Sequence, residues 1–321
     1  MKLSDYIVSL LESHGITDIY GIPGVGCGHF LNSIASSGIT NHLTYHEQGA
    51  AFAACGYAQA SRRPAFAYTT AGPGGTNLLT GIANAYADSI PVVFMVGEKD
   101  LPELKGSLKV RQKASQEVDI TEVCSPVTKW SVQIKTAEEA GYVFSKAFHV
   151  ATEGRPGPVL IDFPSNIARQ NIEPSSIECF VPPETVFDDE CLKVIAEAFS
   201  RSEKPLILAG NGAAYDECRN FVAAISDALS IPVVSTLPAS DAFVGITGYI
   251  GFIGMDGDSA ANSAVSQCDM LLTLGARLNF KQVGYKREKF AEDAEIIRVD
   301  ADPEELAYRL GKETYLDSKL V

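Results

Sequence analysis

Short apolar runs alternate with longer stretches of helical periodicity through the first half of the chain. The runs predict strands at 16–20, 42–46, 65–70, 92–97 and 159–163. The stretches between them predict helices, the clearest of which lie at 47–61, 76–87 and 137–152. Strands separated by helices form βαβ units, so this half predicts a parallel sheet that is covered on both faces.

A second α/β pattern begins after a change in composition. The segment 166–188 is polar, contains three prolines and has no sustained periodicity, which is typical of an interdomain linker. Beyond it, the pattern predicts helices at 189–202 and 216–229, and strands at 206–209, 233–236, 270–274 and 296–300. The predicted fold class is therefore α/β, with two doubly wound parallel-sheet domains at 1–165 and 189–321. The pattern stops over 314–321 without a capping residue, so we expect the second domain to be cut short at its C-terminus.

Composition narrows the class of protein. The 321 residues suggest two domains at about 150 residues each. The formal charge is −14 and no Lys/Arg run exists, which argues against a nucleic-acid partner and an anionic membrane surface. No apolar run reaches about 18 residues, so no membrane span is expected. Seven isolated cysteines without a C-x-x-C pair indicate a reducing compartment, the cytoplasm, and the five histidines fit no metal-ligand spacing.

Glu47 is the first candidate for chemistry. It lies where a predicted strand becomes a helix, and the carboxyl ends of parallel strands are where ligands bind. Its neighbours in the segment YHEQGAAFAA are small and apolar, so a carboxyl group here is suited to proton transfer. The alternative is an ordinary acidic residue in the first turn of a helix, where the helix dipole favours a negative charge.

Three glycine-rich turns follow predicted strands, at 21–28, 71–77 and 210–212. Such turns let the backbone approach a ligand, and the helix behind each one presents free N–H groups. The alternative is a tight strand-to-helix turn, which every doubly wound fold needs. No turn matches G-x-G-x-x-G, because His29 or Leu31 stands at the third glycine position of the first turn and Tyr215 at that of the last. No Gly-Lys-Ser/Thr follows either, so the sequence argues against a P-loop and an NAD dehydrogenase.

Taken in order, several motifs resemble the thiamine-diphosphate enzymes of the acetolactate synthase type. They are YHEQGAAFAACGYA, AGPGGTNLLTGIANAYADSIPVV, QEVDI and GRPGPVLIDFP, and the resemblance covers about residues 1–165 with few gaps. It continues more loosely through the second domain in GMDGDSAANSAVSQCDMLLTLGAR and IIRVDADPEEL. The combination is specific, although each glycine-rich turn alone is not.

The resemblance implies a role for each domain. The first would bind the aminopyrimidine ring of thiamine diphosphate, and the second would be a central domain that holds FAD, an ADP-like ligand or nothing. A third domain in such enzymes binds the diphosphate through Mg²⁺ with a Gly-Asp-Gly motif. The nearest approach here, Gly254-Met255-Asp256-Gly257-Asp258, has the wrong order. We therefore expect Mg²⁺ and the diphosphate to be held downstream or on another chain, in a homodimer or homotetramer.

The same resemblance implies roles for individual residues of the first domain. Glu47 would bond to N1′ of the aminopyrimidine and so promote loss of the cofactor's C2 proton. Pro73, Gly74 and Asn77 would lie at the pyrimidine and at the subunit interface. Pro23 would also contact the cofactor, and Gln116 would be a second catalytic residue.

For the second ligand, the resemblance implies contacts to FAD from a scattered set of residues. These are Arg155, Arg277 and Asp300, together with Lys281 and Asp302. The alternative is that these residues are inherited scaffold positions around an empty pocket.

Two departures from the family pattern concern the substrate pocket. Ser115 precedes Gln116 where the family usually has Phe, and Ser165 in Pro164-Ser165-Asn166 stands where it usually has Lys. The run from Gly24 to His29 also differs from the usual Pro-Gly-Gly-Ala. The resemblance thus predicts the family's donor chemistry with an altered acceptor.

The function expected from the resemblance is decarboxylation of pyruvate or a related 2-keto acid, followed by carboligation to a second carbonyl compound. One alternative is a simple 2-keto acid decarboxylase or lyase without an acceptor. Another is a non-catalytic nucleotide-binding or regulatory protein that keeps the fold. We expect this chain alone to be inactive.

Overall fold

The computed structural model describes residues 1–184, 189–307 and 313–317. The chain divides into two compact units, Met1–Pro183 and Glu184–Val321. Each unit contains one six-stranded sheet with helices between consecutive strands, and every strand pair in both sheets is parallel. This arrangement confirms the predicted α/β fold class.

The first sheet is formed by β1 (Asp18–Gly21), β2 (Thr40–Leu43), β3 (Ala65–Thr70), β4 (Val92–Glu98), β5 (Trp130–Gln133) and β6 (Val159–Pro164). Its helices are α1 (Leu3–Ser13), α2 (Gly28–Ile34), α3 (Glu47–Ser61), α4 (Pro73–Ala87), α5 (Ile120–Cys124), α6 (Ala140–Thr152) and α7 (Ser165–Ala168). Short 3-10 turns occur at Val25–Cys27, Leu101–Glu103, Ser125–Val127 and Pro174–Ser176. The strand order is β2-β1-β3-β4-β6-β5.

Burial explains why the central strands could be predicted from the sequence. β4 is buried along its whole length and β3 along all but its last residue, so both are mostly apolar runs covered on both faces. One face packs on α1, α2 and α6 through large side chains such as Phe30, Phe66 and Phe144. The other packs on α3, α4 and α5 through smaller ones such as Ala54 and Leu78.

Most of the segment predicted as a linker packs against the first unit. The Leu3 N–H donates to the Gln170 carbonyl at 2.8 Å, and the Ile172 N–H donates to the Met1 carbonyl at 2.9 Å. Ile177 is buried where Gly141 of α6 lacks a side chain. A polar, proline-containing stretch has thus become an ordered strap, and residues 185–188 lie outside the described residues.

The second sheet is formed by β7 (Pro205–Ala209), β8 (Val233–Ser235), β9 (Tyr249–Phe252), β10 (Met270–Leu274), β11 (Glu295–Asp300) and β12 (Glu313–Asp317). Its helices are α8 (Asp189–Arg201), α9 (Asp216–Leu229), α10 (Ser240–Phe243), α11 (Ser259–Gln267), α12 (Phe280–Val283) and α13 (Pro303–Ala307), and 3-10 turns occur at Asn211–Ala213, Leu237–Ala239 and Arg287–Lys289. The order is β12-β11-β10-β7-β8-β9. β12 occupies residues for which the sequence pattern indicated no element, and 318–321 lie outside the described residues.

The topology fixes where each unit can bind a ligand. Strand order reverses between β1 and β3 in the first sheet and between β7 and β10 in the second. In open α/β sheets, ligands bind outside the carboxyl ends of the strands at such a point. Over the described ranges, no helix is both long enough and apolar enough to cross a bilayer.

Candidate active site

Glu47 begins α3 at the carboxyl edge of the first sheet, shortly after β2 ends. The preceding His46 has an extended backbone, and its Nδ1 accepts a hydrogen bond from the Gln48 N–H at 3.1 Å. This cap satisfies one of the free N–H groups at the helix start, so the Glu47 side chain is not needed for that purpose. Glu47 is half-buried, with its carboxyl directed to α4.

Asn77 of α4 contacts this carboxyl group directly. Its Nδ2 donates to Glu47 Oε2 at 3.0 Å. The two helices approach closely because Gly81 of α4 lies on Ala51 of α3, where a Cβ on the glycine would overlap the alanine Cβ. Small residues in both helices therefore bring together two side chains that the sequence indicated separately.

The first turn of α4 forms one wall beside Glu47. A Cβ on Gly74 would lie 2.6 Å from Thr69 Oγ1 and 3.5 Å from Glu47 Oε1. Glycine thus permits the close packing on β3 and leaves Glu47 Oε1 uncovered from this side. Pro73 occupies the first position of α4 and is exposed at the same edge.

Gln116 reaches the same edge through its backbone. Gly72 has a φ of +66°, and a Cβ there would collide with the Gln116 carbonyl oxygen. Gln116 itself has a φ of +59°, which is uncommon for a residue with a side chain. Its side chain is exposed. The structure therefore places Gln116 against the turn that begins α4.

Pro23 lies in the turn after β1, and it is exposed. The glycines around it pack tightly on neighbouring strand ends: a Cβ on Gly24 would overlap the Thr70 side chain, and one on Gly26 would overlap the Gly97 backbone. The Gly26 N–H also donates to Thr70 Oγ1 at 3.3 Å. Pro23 is thus held at the edge that carries Glu47.

The segment 99–117, termed the Gln116 loop, is held by contacts that the sequence did not indicate. Glu117 accepts backbone N–H bonds from Lys105 and Lys113 at 2.7 Å each and from Ala114 at 3.0 Å. Burial alone would raise the pKa of Glu117, but these three bonds leave the pKa below its ordinary value. Lys99 Nζ donates to the Ser115 carbonyl.

Two carboxyl groups are buried behind this loop. Glu98 at the end of β4 and Asp162 in β6 are 2% and 3% exposed. Burial raises the pKa of Glu98, and burial together with the nearby Glu98 charge raises the pKa of Asp162 well above its ordinary range. The signal in the sequence was an acidic residue inside the apolar run VLIDFP, which needs a partner or a proton.

Arg155 is not brought to the Glu47 edge. It lies between α6 and β6, at the amino edge of the first sheet, and its Nε donates to Ser89 Oγ at 2.8 Å. The other residues linked by resemblance to a nucleotide belong to the second unit.

In the second unit, those residues lie around the carboxyl ends of β10 and β11. Arg277 follows β10 with half of its side chain exposed, and its Nε is 3.8 Å from Glu305 Oε1. Asp300 ends β11, where burial raises its pKa and its Oδ1 accepts the Asp302 N–H at 3.0 Å. Lys281 is exposed in α12, and its carbonyl accepts the Met255 N–H at 2.8 Å.

Glycines close the base of the crevice between β7 and β10. The Gly212 N–H donates to the Gly275 carbonyl at 3.2 Å, and a Cβ on Gly210 would overlap that carbonyl. The turns after β7 and β10 therefore meet directly, two residues before Arg277 in the sequence.

Two family models match this chain. The model of the thiamine pyrophosphate enzyme N-terminal TPP binding domain matches residues 1–123, and that of the thiamine pyrophosphate enzyme central domain matches residues 192–315. Over its whole length, the chain is 37% identical to a probable acetolactate synthase large subunit of Methanocaldococcus jannaschii. The match covers 54% of that relative.

Similar matches come from distant organisms. Over 95% of its length, the chain is 35% identical to the acetolactate synthase isozyme 2 large subunit of Escherichia coli, and the match covers 55% of that relative. Over 95% of its length, it is also 35% identical to acetolactate synthase 1, chloroplastic, of Oryza sativa subsp. japonica, and the match covers 47% of that relative. The chain thus spans about half the length of these relatives. It contains the N-terminal and central domains of the thiamine pyrophosphate enzymes, so it belongs to that family, and it is similar to acetolactate synthase large subunits.

Proposed function

We propose that the chain is part of a decarboxylating carboligase that uses thiamine diphosphate and transfers an acyl carbanion equivalent from pyruvate or a related 2-keto acid to a second carbonyl compound. One observation carries this proposal. The Glu47 carboxyl is held by Asn77 at the switch-point edge of the first sheet, within the segment that matches the thiamine-binding domain.

The residues around Glu47 fit an aminopyrimidine ring. Glu47 Oε2 is occupied by Asn77, whereas Oε1 faces the side of Gly74 that carries no side chain. A flat heteroaromatic ring needs such a gap and one carboxyl oxygen at its edge. Pro23 and Pro73 add rigid apolar surface at the same edge.

This chain's own residues would hold the ring and its proton. Bound thiamine diphosphate supplies an electron sink for the carbanion that forms when CO₂ leaves a 2-keto acid. Glu47 would hold a proton at N1′ of the pyrimidine, and Asn77 would keep the Glu47 carboxylate in place by donating to its other oxygen. Gln116, at the neighbouring turn, would donate from its amide to the substrate.

Turnover by the complete enzyme tests the proposal. Glu47→Gln keeps the shape of the side chain but cannot exchange the N1′ proton, so release of CO₂ from pyruvate should fall by several orders of magnitude. Glu122→Gln is the matched control, since Glu122 is also an acid in the first turn of a helix but is exposed on α5. Equal turnover by the two variants would overturn the assignment.

We further propose that Mg²⁺ and the diphosphate are held by another domain of the assembly. The sequence contains no Gly-Asp-Gly, the motif on which the family resemblance places that site. An oligomer is supported by apolar side chains that the first unit leaves exposed, namely Leu43, Tyr45, Phe52 and Tyr86. A homodimer or homotetramer would cover them.

A reducing compartment, the cytoplasm, is part of the same proposal. All seven cysteines are free thiols, and Cys27, Cys55 and Cys124 are buried among apolar side chains.

For the second unit, we propose FAD or a related adenine nucleotide as the ligand. Arg277 is half-exposed above the glycine contact at the switch point, and Asp300 ends the neighbouring strand. Arg277→Gln should weaken retention of flavin by the purified enzyme about tenfold or more, because a charged hydrogen bond to phosphate is lost. Lys289→Gln, at an exposed lysine paired with Glu292, is the control. Equal flavin content in both variants would contradict the proposal.

A further inference from the structure

A row of polar side chains crosses the first sheet behind the Gln116 loop. The strand registers align Thr69 of β3 with Val96 of β4, Val96 with Asp162 of β6, and Asp162 with Gln133 of β5. Side chains alternate faces along a strand, so Glu98, two residues after Val96, lies on the same face as Asp162. That face packs against α4 and α5.

The two carboxyl groups in this row have few partners. Asp162 Oδ2 accepts from Gln133 Nε2 at 2.7 Å, but Oδ1 is buried without a hydrogen-bond partner among the described residues. Glu98 Oε1 accepts the Lys99 N–H at 2.7 Å. The register makes Glu98 a diagonal neighbour of Asp162 on the same face, and two carboxylates in one buried site cannot both be ionised without a large cost.

We propose that Glu98 and Asp162 share one proton, carried on Asp162 Oδ1 and donated to the Glu98 carboxylate, and that this carboxyl pair positions the Gln116 loop. The proton supplies the partner that Oδ1 lacks. The pair keeps a single negative charge, which Glu98 directs to the start of the loop.

Contacts connect the carboxyl pair to Gln116 without a break. Glu98 accepts from the Lys99 backbone, and Lys99 Nζ donates to the carbonyl of Ser115, the residue before Gln116. The two residues after Lys99 also hold the start of the loop, through contacts with α7 and the residue that follows it. Asp100 pairs with Arg169, and the Leu101 N–H donates to Asn166 Oδ1 at 2.9 Å.

The groups that face the pair make a second ionisation costly. Asp119 and Glu117 add negative charge at the loop end of α5, and Cys124 of α5 packs on the same face. Lys99 is the nearby cation, and its ammonium is engaged with Ser115. Ionising the second carboxyl would push Glu98 away from Asp162, and the hold of Glu98 on Lys99 would weaken.

The sign of the pH effect follows from the raised pKa values of Glu98 and Asp162. Above the ordinary carboxyl range, the unfolded chain has released a proton that the folded pair still holds. The stability of the first unit should therefore fall as pH rises, until the folded pair has also ionised. The inference draws on the proposed function only in giving the loop a role, and the order of the loop can be tested without a substrate.

Urea unfolding of the 321-residue chain tests the shared proton. Trp130 is the single tryptophan and lies in β5, so its fluorescence reports on the first unit. Above the ordinary carboxyl range, one shared proton makes the unfolding constant of the wild type rise by up to about tenfold per pH unit, until the folded pair has also ionised. In Asp162→Asn an amide donates to Glu98 in place of the acid, so this part of the slope should disappear.

The measured quantity is the difference between variant and wild type, which cancels any pH dependence that the two proteins share. Asp100→Asn removes a partly exposed carboxylate from the same segment and should keep the wild-type slope. Glu98→Gln removes the neighbouring charge but leaves Asp162 buried, so the slope should end at a lower pH than in the wild type, and this variant serves if Asp162→Asn does not fold. A wild-type slope in the variant that folds would overturn the shared proton.

Limited tryptic cleavage tests the positioning of the loop, because Lys105, Lys109, Arg111 and Lys113 lie within it. Cleavage there is compared with cleavage at the exposed Lys286 and Lys289 of the second unit. The ratio should rise severalfold with pH in the wild type and stay level in Asp162→Asn. A ratio that does not change with pH in the wild type would overturn the positioning role, even if the unfolding slope is found.

Discussion

The Asn77 amide and the Glu47 carboxyl lie 3.0 Å apart, although 30 positions separate them in the sequence. Neither residue fixes this distance alone. It depends on the close approach of α3 and α4 at Ala51 and Gly81. It also depends on His46, which caps α3 so that the Glu47 side chain is not needed as the cap. The contact means that Glu47 enters any reaction with one oxygen already bonded and the other open.

Asn77→Ala should impair turnover without unfolding the protein. The substitution removes one hydrogen bond to a carboxylate, worth about 1.5–3 kcal/mol, so kcat/KM of the complete enzyme should fall roughly ten- to a hundredfold. Asn84→Ala, a similar change further along α4, is the control. Unchanged kinetics in Asn77→Ala would show that the contact has no part in the reaction.

Thiamine diphosphate should bind weakly to the 321-residue chain alone. Much of the cofactor's affinity comes from its charged diphosphate and the Mg²⁺ that bridges it to protein. Calorimetry with micromolar cofactor and Mg²⁺ should show no saturable binding. Tight stoichiometric binding would mean that the diphosphate site has been misplaced.

The chain should self-associate through its first unit. Tyr45 is fully exposed and Leu43 is 62% exposed, and Phe52 of α3 and Tyr86 of α4 are exposed as well. Phe52→Asp should shift the mass measured by light scattering at tens of micromolar toward the monomer, since a charge would be buried in the contact. Phe221→Asp, on an exposed face of the second unit, is the matched control. A wild-type chain that is strictly monomeric would contradict the expectation.

The acceptor should not be a second pyruvate. Ser165 begins α7 where the family usually has Lys, and Ser115 precedes Gln116 where it usually has Phe. Losing a charged hydrogen bond of ~1.5–3 kcal/mol would weaken a keto-acid acceptor roughly ten- to a hundredfold. Two lysines near these positions are engaged within the Gln116 loop, because the ammonium groups of Lys99 and Lys113 donate to the carbonyls of Ser115 and Pro102.

A larger neutral carbonyl compound, such as an aldehyde or a keto-sugar, would fit the altered pocket better than a 2-keto acid. The complete enzyme incubated with pyruvate alone should therefore form little acetolactate. Acetolactate formation at a rate comparable to pyruvate consumption would refute this prediction.

Burial decided which parts of the fold the sequence could predict. The bounds of β3 and β10 follow directly from apolar runs, because strands covered on both faces consist mostly of apolar residues. β5 and β9 were not predicted, since they are short and only partly buried. Chain ends and edge strands give weaker patterns for the same reason.

The site shows the same limit. Glu47 and Asn77 could be singled out by type and position, but their contact depends on how two helices pack. Glu98 and Asp162 lie 64 positions apart, which is 162 minus 98, and become neighbours only through the register of β4 on β6. Arg155 stays a predicted ligand contact: it belongs to the first unit, whereas the other residues of that predicted set belong to the second.

The central claim is that Glu47 controls a proton at N1′ of the cofactor, and exchange at the cofactor's C2 position measures this most directly. The complete enzyme with bound thiamine diphosphate is mixed with deuterium oxide, quenched with acid, and the C2 proton is followed by NMR. Exchange should be several orders of magnitude slower in Glu47→Gln than in the wild type or in Glu122→Gln. Exchange at the wild-type rate in Glu47→Gln would contradict the account.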